Sequence, residues 1–368
     1  MLHIFVSFLF FNIILLVVYR NYNRGVVFIS NRNLIFFTMV FIAFGTYGGG
    51  EGDYWHLKES VENCTTLTDV LFGGGMEQQY KFLAYWLDGN YTLWRLIIYS
   101  LQFIGMFSLL KAAKLNTYSF LLIFTTMCLV PSVYGRAFWG GIFFFIGMVL
   151  LINKRNPLFL LIMLLSYFSH TQNVLLIALL PLCLFNINKW HILLMVLLLG
   201  VVATAFKDYF TLFVDSGGIE GADYINSKVN EYSSDNVNVN DSIINSIGEL
   251  ILFIIRYVPL FVFLFYLSYL VIKSEKVALL ATPFRRMIGF PILLFFFSLV
   301  LLRADINENY FYRCLVMMQF PISLIMSHMQ DYKLLKKKTF LRYNYLFTLA
   351  FEFSYCKDLY YAYAGGLY

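Results

Sequence analysis

Charged residues are scarce in this sequence. Asp, Glu, Lys and Arg make up 13 % of its 368 residues, whereas 60 % are hydrophobic and 20 % are aromatic. A soluble globule of this length would need more polar surface, so we expect lipid to be its main solvent. The apolar runs are long and lack the strict alternation of barrel strands. The composition therefore predicts an all-α fold, a polytopic transmembrane helical bundle.

Motifs for metals and nucleotides are also lacking. The five cysteines have no metal-ligand spacing, and Cys64 and Cys356 either pair with each other or remain two solitary thiols. There is no phosphate-cradling glycine loop, nucleophile elbow or zinc signature. The net charge of +6 does not indicate nucleic acid, because the cations stand between apolar runs rather than on one soluble face. We therefore expect no metal, no cofactor and no nucleic-acid partner.

The basic residues predict the topology, since loops rich in Lys and Arg stay in the cytoplasm. One alternation places the basic stretches inside and collects most acidic residues in two long outward loops, residues 48–90 and 207–249. It predicts about twelve helices in a single domain over 1–368, with the first span at 2–19 and both termini outside. Residues 158–186 then form a short hairpin tipped by His170, although one tilted helix would fit their length better. The inner stretches are 20–32, 111–114, 154–155, 189, 273–286 and 333–342.

Five arginines fall within helices or at their predicted outer ends: Arg95, Arg136, Arg256, Arg303 and Arg313. An arginine inside a membrane is costly to insert, and its planar fork binds phosphate oxygens in pairs. Several arginines at one depth indicate an anionic ligand, either the pyrophosphate of a lipid-linked sugar or a phospholipid head group. The simpler alternative for Arg95 and Arg303 is that their side chains reach outward to water.

Candidate proton acceptors lie on the same predicted side. His170 has an ordinary pKa near neutrality, so it is suited to accept a proton from a sugar hydroxyl, although a lone histidine is more often a packing residue. Asp53 and Asp305 are alternative bases or acceptors for sugar hydroxyls, and acidic residues in polar loops are usually only solvated. Most aromatic residues here are expected at the membrane interface, and a minority are expected to stack on sugar rings.

Several short motifs, in their order along the chain, resemble the EpsG-type, Wzy-like polymerases of bacterial exopolysaccharide, capsule and O-antigen clusters. Two departures stand out: an arginine common shortly before the aspartate is absent, and so is a glutamine after the arginine of the fifth helix. If the missing arginine binds phosphate in relatives, Arg303 or Arg313 must replace it. The motifs are Gly52-Asp53-Tyr54, Glu77 to Tyr80, Arg136-Ala137 opening the fifth helix, Lys154-Arg155, and Ser169-His170 ending the next span.

The resemblance implies a metal-independent, inverting glycosyltransferase of the C-type membrane class in the bacterial cytoplasmic (inner) membrane. It would transfer a growing glycan from undecaprenyl pyrophosphate to a lipid-linked repeat unit on the outer face. Arg136 with His170 or Asp53 would be catalytic, the other four arginines would bind pyrophosphate, and Tyr54, Glu77, Tyr80 and Asp305 would contact sugar. Expected partners are the lipid-linked oligosaccharides, the membrane and a chain-length regulator protein. A flippase for the same lipid-linked sugar and a membrane sugar acyltransferase are the alternatives.

Overall fold

The fold is helical throughout the part of the chain that this computed structural model describes, which has no strand there. The described residues are 2–47, 53–72, 76–112, 116–127, 136–152, 156–169, 177, 188–196, 247–273, 287–303, 308–331 and 334–364. The helices are α1 (Leu2–Asn23), α2 (Asn31–Tyr47), α3 (Asp53–Glu62), α4 (Leu67–Phe72), α5 (Gln78–Trp86), α6 (Tyr91–Ala112), α7 (Thr117–Met127), α8 (Arg136–Ile152), α9 (Asn156–Ser169), α10 (Ile247–Lys273), α11 (Gly289–Arg303), α12 (Glu308–Asp331) and α13 (Lys337–Ala364).

The predicted all-α class is confirmed. Within the described stretches, none of the helices combines the length and the apolar composition needed to cross a bilayer. The number of spans and the side on which each terminus lies stay predictions. So does the second arm of the 158–186 hairpin, because all but residue 177 of the stretch 170–186 lies outside the described residues.

The predicted outward loop 48–90 contains three short helices, α3, α4 and α5. The start of α4 is closed by Thr66, whose backbone N–H and hydroxyl donate to the carboxylate of Asp69 at 2.9 and 2.6 Å. Gly89, with φ of +69°, makes the turn into α6, and a Cβ there would lie 3.0 Å from the carbonyl oxygen of Glu62. Local capping and a glycine turn thus give this polar stretch a defined fold. Residues 207–246 of the other predicted loop lie outside the described residues.

Side-chain contacts fix the directions of neighbouring helices. Gly45 lies against Tyr99, and the rings of Phe41 and Phe103 are 5.4 Å apart, so α2 and α6 are antiparallel. A Cβ at Gly105 would lie 3.3 Å from Ile146, and Tyr99 contacts Trp139 with ring centroids 5.6 Å apart. These two contacts make α6 and α8 parallel.

The contacts of α7 fix the directions of α2 and α12 relative to it. The amide of Asn33 donates to the Tyr118 hydroxyl at 3.1 Å, and Phe41 lies 6.1 Å from Phe124, so α2 and α7 are parallel. The hydroxyls of Ser119 and Ser327 are 2.7 Å apart, and Phe124 contacts Phe320 at 6.3 Å. Helix α12 therefore runs antiparallel to α7, and it begins at the same end of the bundle as α6 and α8.

The bundle consequently has two distinct ends. The basic end holds the turn between α1 and α2, the start of α7, the end of α12 and the start of α13. The exposed cations among its described residues include Arg20, Arg24, Arg32, Lys336, Lys337, Lys338 and Arg342. The opposite end holds the end of α2, the segment 53–86, the starts of α6, α8 and α12, and the end of α11, which packs along α12. This alternation is the one that the charge pattern predicts. Which side of a membrane each end faces stays a prediction.

Helix α2 approaches α6 closely because residue 45 has no side chain. A Cβ at Gly45 would lie 2.5 Å from Cγ of the Tyr99 ring, which is itself buried. We expect Gly45→Ala to destabilise the fold by about 1–3 kcal/mol, because the rigid ring must be displaced. The control is Gly141→Ala in α8, where no described atom lies within 4 Å of a new Cβ. Thermal unfolding of the purified variants measures the difference, and an unfolding temperature for Gly45→Ala at or above that of Gly141→Ala would contradict it.

Candidate functional site

Most of the predicted site residues lie at the opposite end of the bundle. Asp53 and Tyr54 begin α3, Glu77 directly precedes α5, Tyr80 lies in its first turn, and Arg136 is the first residue of α8. Arg303 ends α11, Arg313 lies near the start of α12, and Arg95 lies near the start of α6. Arg256 lies within α10. His170 and Asp305 lie outside the described residues, as do the side chains of Asp53, Tyr54, Arg136, Arg256, Arg303 and Arg313.

A buried aromatic cluster holds three of these helix starts together. Tyr80 of α5 and Trp94 of α6 meet edge to face at 5.7 Å, and Trp139 of α8 contacts both, at 5.7 and 6.0 Å. Tyr91 stacks on Trp94 at 5.9 Å, and Tyr99 meets Trp139 at 5.6 Å. Each of the five side chains is at most 7 % exposed. Edge-to-face and offset-stacked arrangements are the favourable ones for aromatic rings, so the cluster fixes the relative positions of α5, α6 and α8.

One polar contact ties the cluster to the backbone of α5. The indole N–H of Trp94 donates to the carbonyl oxygen of Tyr80 at 3.0 Å, in a place where water has no access. A buried indole N–H needs such a partner, and this one sits on the Glu77 to Tyr80 motif itself. The sequence singled out Tyr80 as a sugar contact; its ring is enclosed between Trp94 and Trp139.

Arg95 is the predicted pyrophosphate ligand whose side chain is described. It is 4 % exposed, and its guanidinium donates to the carbonyl oxygen of Gly45 in the last turn of α2. The guanidinium carbon lies 5.6 and 5.5 Å from the ring centroids of Tyr91 and Tyr99, within the range of cation–π attraction. The carbonyls of a last helical turn lack partners within the helix and carry negative partial charge, so this cation both satisfies and stabilises the end of α2. The side chain thus reaches inward to α2 rather than outward to water.

Helices α8 and α9 bring two further motifs to the same end. The Ser166 hydroxyl donates to the carbonyl oxygen of Gly140 at 2.7 Å, and a Cβ at Gly147 would meet Met163 and Phe159. This antiparallel register sets Ser169, the last residue of α9, level with the first turn of α8. Arg136 is the first described residue of α8 and Ser169 the last of α9; the expected helix start and helix end stay predictions, because residues 131–135 and 170–176 lie outside the described residues. His170 is the next residue in the sequence.

Cys64 and Cys356 do not pair, and both are free thiols. Cys64 is buried in the segment 53–86, where its thiol donates to the carbonyl oxygen of Lys81 at 3.5 Å. Burial raises the pKa of this thiol, and the charge of Asp69 adds to the effect while that of Lys81 opposes it. Hydrogen bonds from Thr66 lower the pKa of Asp69. A thiol kept protonated is a poor nucleophile, so Cys64 is a packing residue of this segment.

Metal binding was not expected from the sequence. Among the described residues, His, Cys, Asp and Glu form no group of three that is placed to hold an ion. That the chemistry needs no metal stays a prediction, because His170, Asp305 and several acidic side chains lie outside that part of the chain.

Sequence reasoning missed the aromatic cluster. Tyr91 and Tyr99 each lie four residues from Arg95, a helical spacing, and Trp94 directly precedes it, but aromatic residues are so frequent in this chain that the spacing alone carries little signal. Trp139, expected at the membrane interface, is 2 % exposed. Its position one turn after Arg136 was the available clue, since contacts at the start of a helix position the residue that opens it.

Comparison with known proteins yields one match. No curated protein and no solved structure matches the chain. The model of the EpsG family matches residues 31–364, which are nearly the whole sequence. This range contains the helix starts described above. The chain therefore belongs to the EpsG family, a Wzy-like family of membrane polymerases that act in polysaccharide biosynthesis.

Proposed function

We propose that this protein is a polysaccharide polymerase of the bacterial cytoplasmic membrane. It transfers a growing glycan from undecaprenyl pyrophosphate to the sugar end of a lipid-linked repeat unit, on the outer face. Family membership supports the general activity. The observation that carries the specific proposal is that the helix ends bearing Asp53, Glu77, Arg136, Arg303 and Arg313 all lie at one end of the bundle.

The surface of the helices supports a membrane location. Many large apolar side chains on different helices are more than half exposed, which in water would be costly and would promote aggregation. Lipid tails cover such surfaces at no cost. Arg20, Arg24, Arg32 and Lys336 to Lys338 are exposed and lie at the basic end, an arrangement typical of the cytoplasmic side of a membrane protein. Examples of the exposed apolar residues are Leu16, Ile35, Met39, Leu101, Leu160 and Phe265.

Arginines at the opposite end are suited to a pyrophosphate. We assign Arg136, Arg303 and Arg313 to it directly, with Arg256 as a further ligand. Helices α6, α8 and α12 also begin at this end, and helix starts favour anions through their free N–H groups and their dipoles. For Arg95 we propose a supporting part in the same set, because its guanidinium is already engaged with Gly45. In this part, Arg95 adds positive charge behind the pyrophosphate site and holds the end of α2 in place.

The reaction is a single displacement at the anomeric carbon. His170 or Asp53 accepts the proton of the acceptor hydroxyl, and the acceptor oxygen forms its bond to that carbon as the bond to the pyrophosphate oxygen breaks. Undecaprenyl pyrophosphate leaves with the electron pair, and the arginines stabilise the charge that develops on it. Attack opposite the leaving group inverts the anomeric configuration, and arginine charge takes the place of a metal ion.

Sugar recognition falls to the residues beside these helix starts. Tyr54, Glu77 and Asp305 are proposed to accept or donate hydrogen bonds to sugar hydroxyls. The Tyr80 ring is packed between Trp94 and Trp139, so we propose that it shapes the wall of the sugar site rather than stacking on a sugar. A regulator of chain length is a further proposed partner.

A deletion strain separates the proposed polymerase from its two alternatives. We expect electrophoresis of the surface glycan to show one repeat unit in the deletion strain and full-length polymer after complementation. A flippase would leave no surface glycan, and an acyltransferase would leave chain length intact. Either of those patterns would contradict the proposal. The clustering of arginines at one end favours the polymerase, because a flippase needs charges that serve both sides of the membrane.

A further inference from the structure

Among the described residues, six exposed cations from distant parts of the sequence lie at the ends of α1, α2 and α13 that form the basic end. Contacts between α1 and α13 hold two groups of them together. The rings of Tyr22 and Phe340 lie 5.5 Å apart, and Lys337 Nζ lies 5.1 Å from the centroid of the Tyr22 ring. The six are Arg20 and Arg24 around the end of α1, Arg32 at the start of α2, and Lys336, Lys337 and Lys338 at the start of α13.

An apolar loop tip projects among these cations. Val26, Val27 and Phe28, in the turn between α1 and α2, are 38, 42 and 66 % exposed. The turn is well defined, since Gly25 has φ of +73° and Val26 donates its N–H to the carbonyl oxygen of Asn21 at 3.2 Å. Thr117 of α7 also donates its N–H to the carbonyl oxygen of Val27 at 3.1 Å. The loop is thus held with its apolar side chains outward.

Negative charge is sparse around this surface. Among the described side chains, none in the turn 24–30 or in residues 334–342 is acidic. The acidic residue nearest in sequence is Asp331, which ends α12. A positively charged surface around an apolar tip is complementary to a partner that presents an array of anions with an apolar layer directly beneath them.

We propose that this surface, the six cations with the tip Val26–Phe28, binds the head groups of anionic phospholipids. The cations pair with lipid phosphates, and the tip enters the boundary between head groups and acyl chains, the arrangement by which basic amphipathic segments bind anionic membranes. An acidic soluble partner would satisfy the charges but would leave the apolar tip without an apolar environment. The inference rests on the membrane location in the proposed function and goes beyond the polymerase activity.

Lipid selectivity measured on the full-length protein tests the proposal. The protein is reconstituted in phosphatidylcholine vesicles, and electron paramagnetic resonance gives its association with spin-labelled phosphatidylglycerol relative to spin-labelled phosphatidylcholine. We expect the wild type to prefer phosphatidylglycerol, and the triple variant Lys336→Gln, Lys337→Gln, Lys338→Gln to lower that relative association about fivefold. The preference should weaken as salt is raised.

Lys189 provides a matched control for the lysines of this surface. Like Lys337 it is exposed and lies above an aromatic ring, with Nζ 5.3 Å from the centroid of Trp190, but it is none of the six cations that define the proposed surface. Lys189→Gln should keep the selectivity, and so should Lys337→Arg, which retains the charge. If the triple variant does not fold, the salt dependence of the wild type together with Lys337→Gln decides the question.

Two results would overturn the proposal: an absence of preference in the wild type, or equal preference in the wild type and in the variants that replace Lys336, Lys337 or Lys338 by glutamine. The measurement needs neither substrate nor product, so an inactive protein still reports on the lipids. A protein that does not enter vesicles at all would instead contradict the membrane location in the proposed function. Failure of the lipid surface alone, in an inserted protein, leaves the polymerase intact.

Discussion

Replacing Arg136 by alanine is expected to abolish the polymer while single repeat units still reach the cell surface. Helix α8 begins at this residue, and its start lies beside the starts of α5 and α6, at the end where the other motif residues lie. If Arg136 stabilises the departing pyrophosphate, its loss removes a charge that acts mainly in the transition state. A single donor of this kind contributes about 100- to 1,000-fold to the rate. Electrophoresis of the surface glycan from a complemented deletion strain measures the effect.

Two further variants make the Arg136 result specific. Arg136→Lys keeps the charge but not the planar fork, so we expect it to restore part of the polymer. Arg342→Ala removes an exposed arginine of α13 at the other end of the bundle and should leave chain length unchanged. Membrane fractions must contain equal amounts of each protein. Polymer of normal length from stably expressed Arg136→Ala would refute the role of this residue.

The sequence predicted the all-α class of this fold because long apolar runs without alternation are a strong local signal. In the sequence, a proline- and glycine-containing stretch, 131–135, precedes Arg136, and the apolar run gives way to a polar one at Ser169. The distribution of Lys and Arg predicted which helix ends lie together. Both kinds of signal are local or statistical, and neither needs knowledge of contacts between distant residues.

These signals could not predict tertiary contacts. The stretch 53–86 is polar, with one glycine cluster before it at 48–50 and another within it at 73–75, so it was predicted as a loop, whereas capping by Asp69 and packing of Tyr80 and Ala84 make it helical. Arg95 was predicted as a ligand for phosphate because an arginine in an apolar run needs an anion. Its partner is the carbonyl oxygen of Gly45, fifty residues away in sequence. No sequence motif identifies the helix-end carbonyl that will accept a hydrogen bond from a buried cation, so this partner of Arg95 could not be predicted.

The aromatic cluster leads to the second prediction of large effect, the loss of Trp139. Its indole contacts Tyr80, Trp94 and Tyr99, and it lies one turn after Arg136. Truncating a buried tryptophan to alanine costs about 3–5 kcal/mol, part of it from the cavity that remains. We expect Trp139→Ala to lower the unfolding temperature and to shorten or abolish the polymer, because α8 then loses its aromatic contacts with α5 and α6.

Trp190 makes the test of Trp139 specific, since it is 65 % exposed whereas Trp139 is 2 % exposed. Trp190→Ala should change neither stability nor chain length, and Trp139→Phe, which keeps a ring in the cluster, should recover much of both. Unfolding temperature and glycan length are measured on the same preparations. If Trp139→Ala kept wild-type polymer length despite a lowered unfolding temperature, the cluster would serve stability alone, and the positioning of Arg136 would have to come from other contacts of α8. Loss of polymer in Trp139→Phe at nearly wild-type stability would have the opposite meaning, because the indole itself would then be needed to place the start of α8.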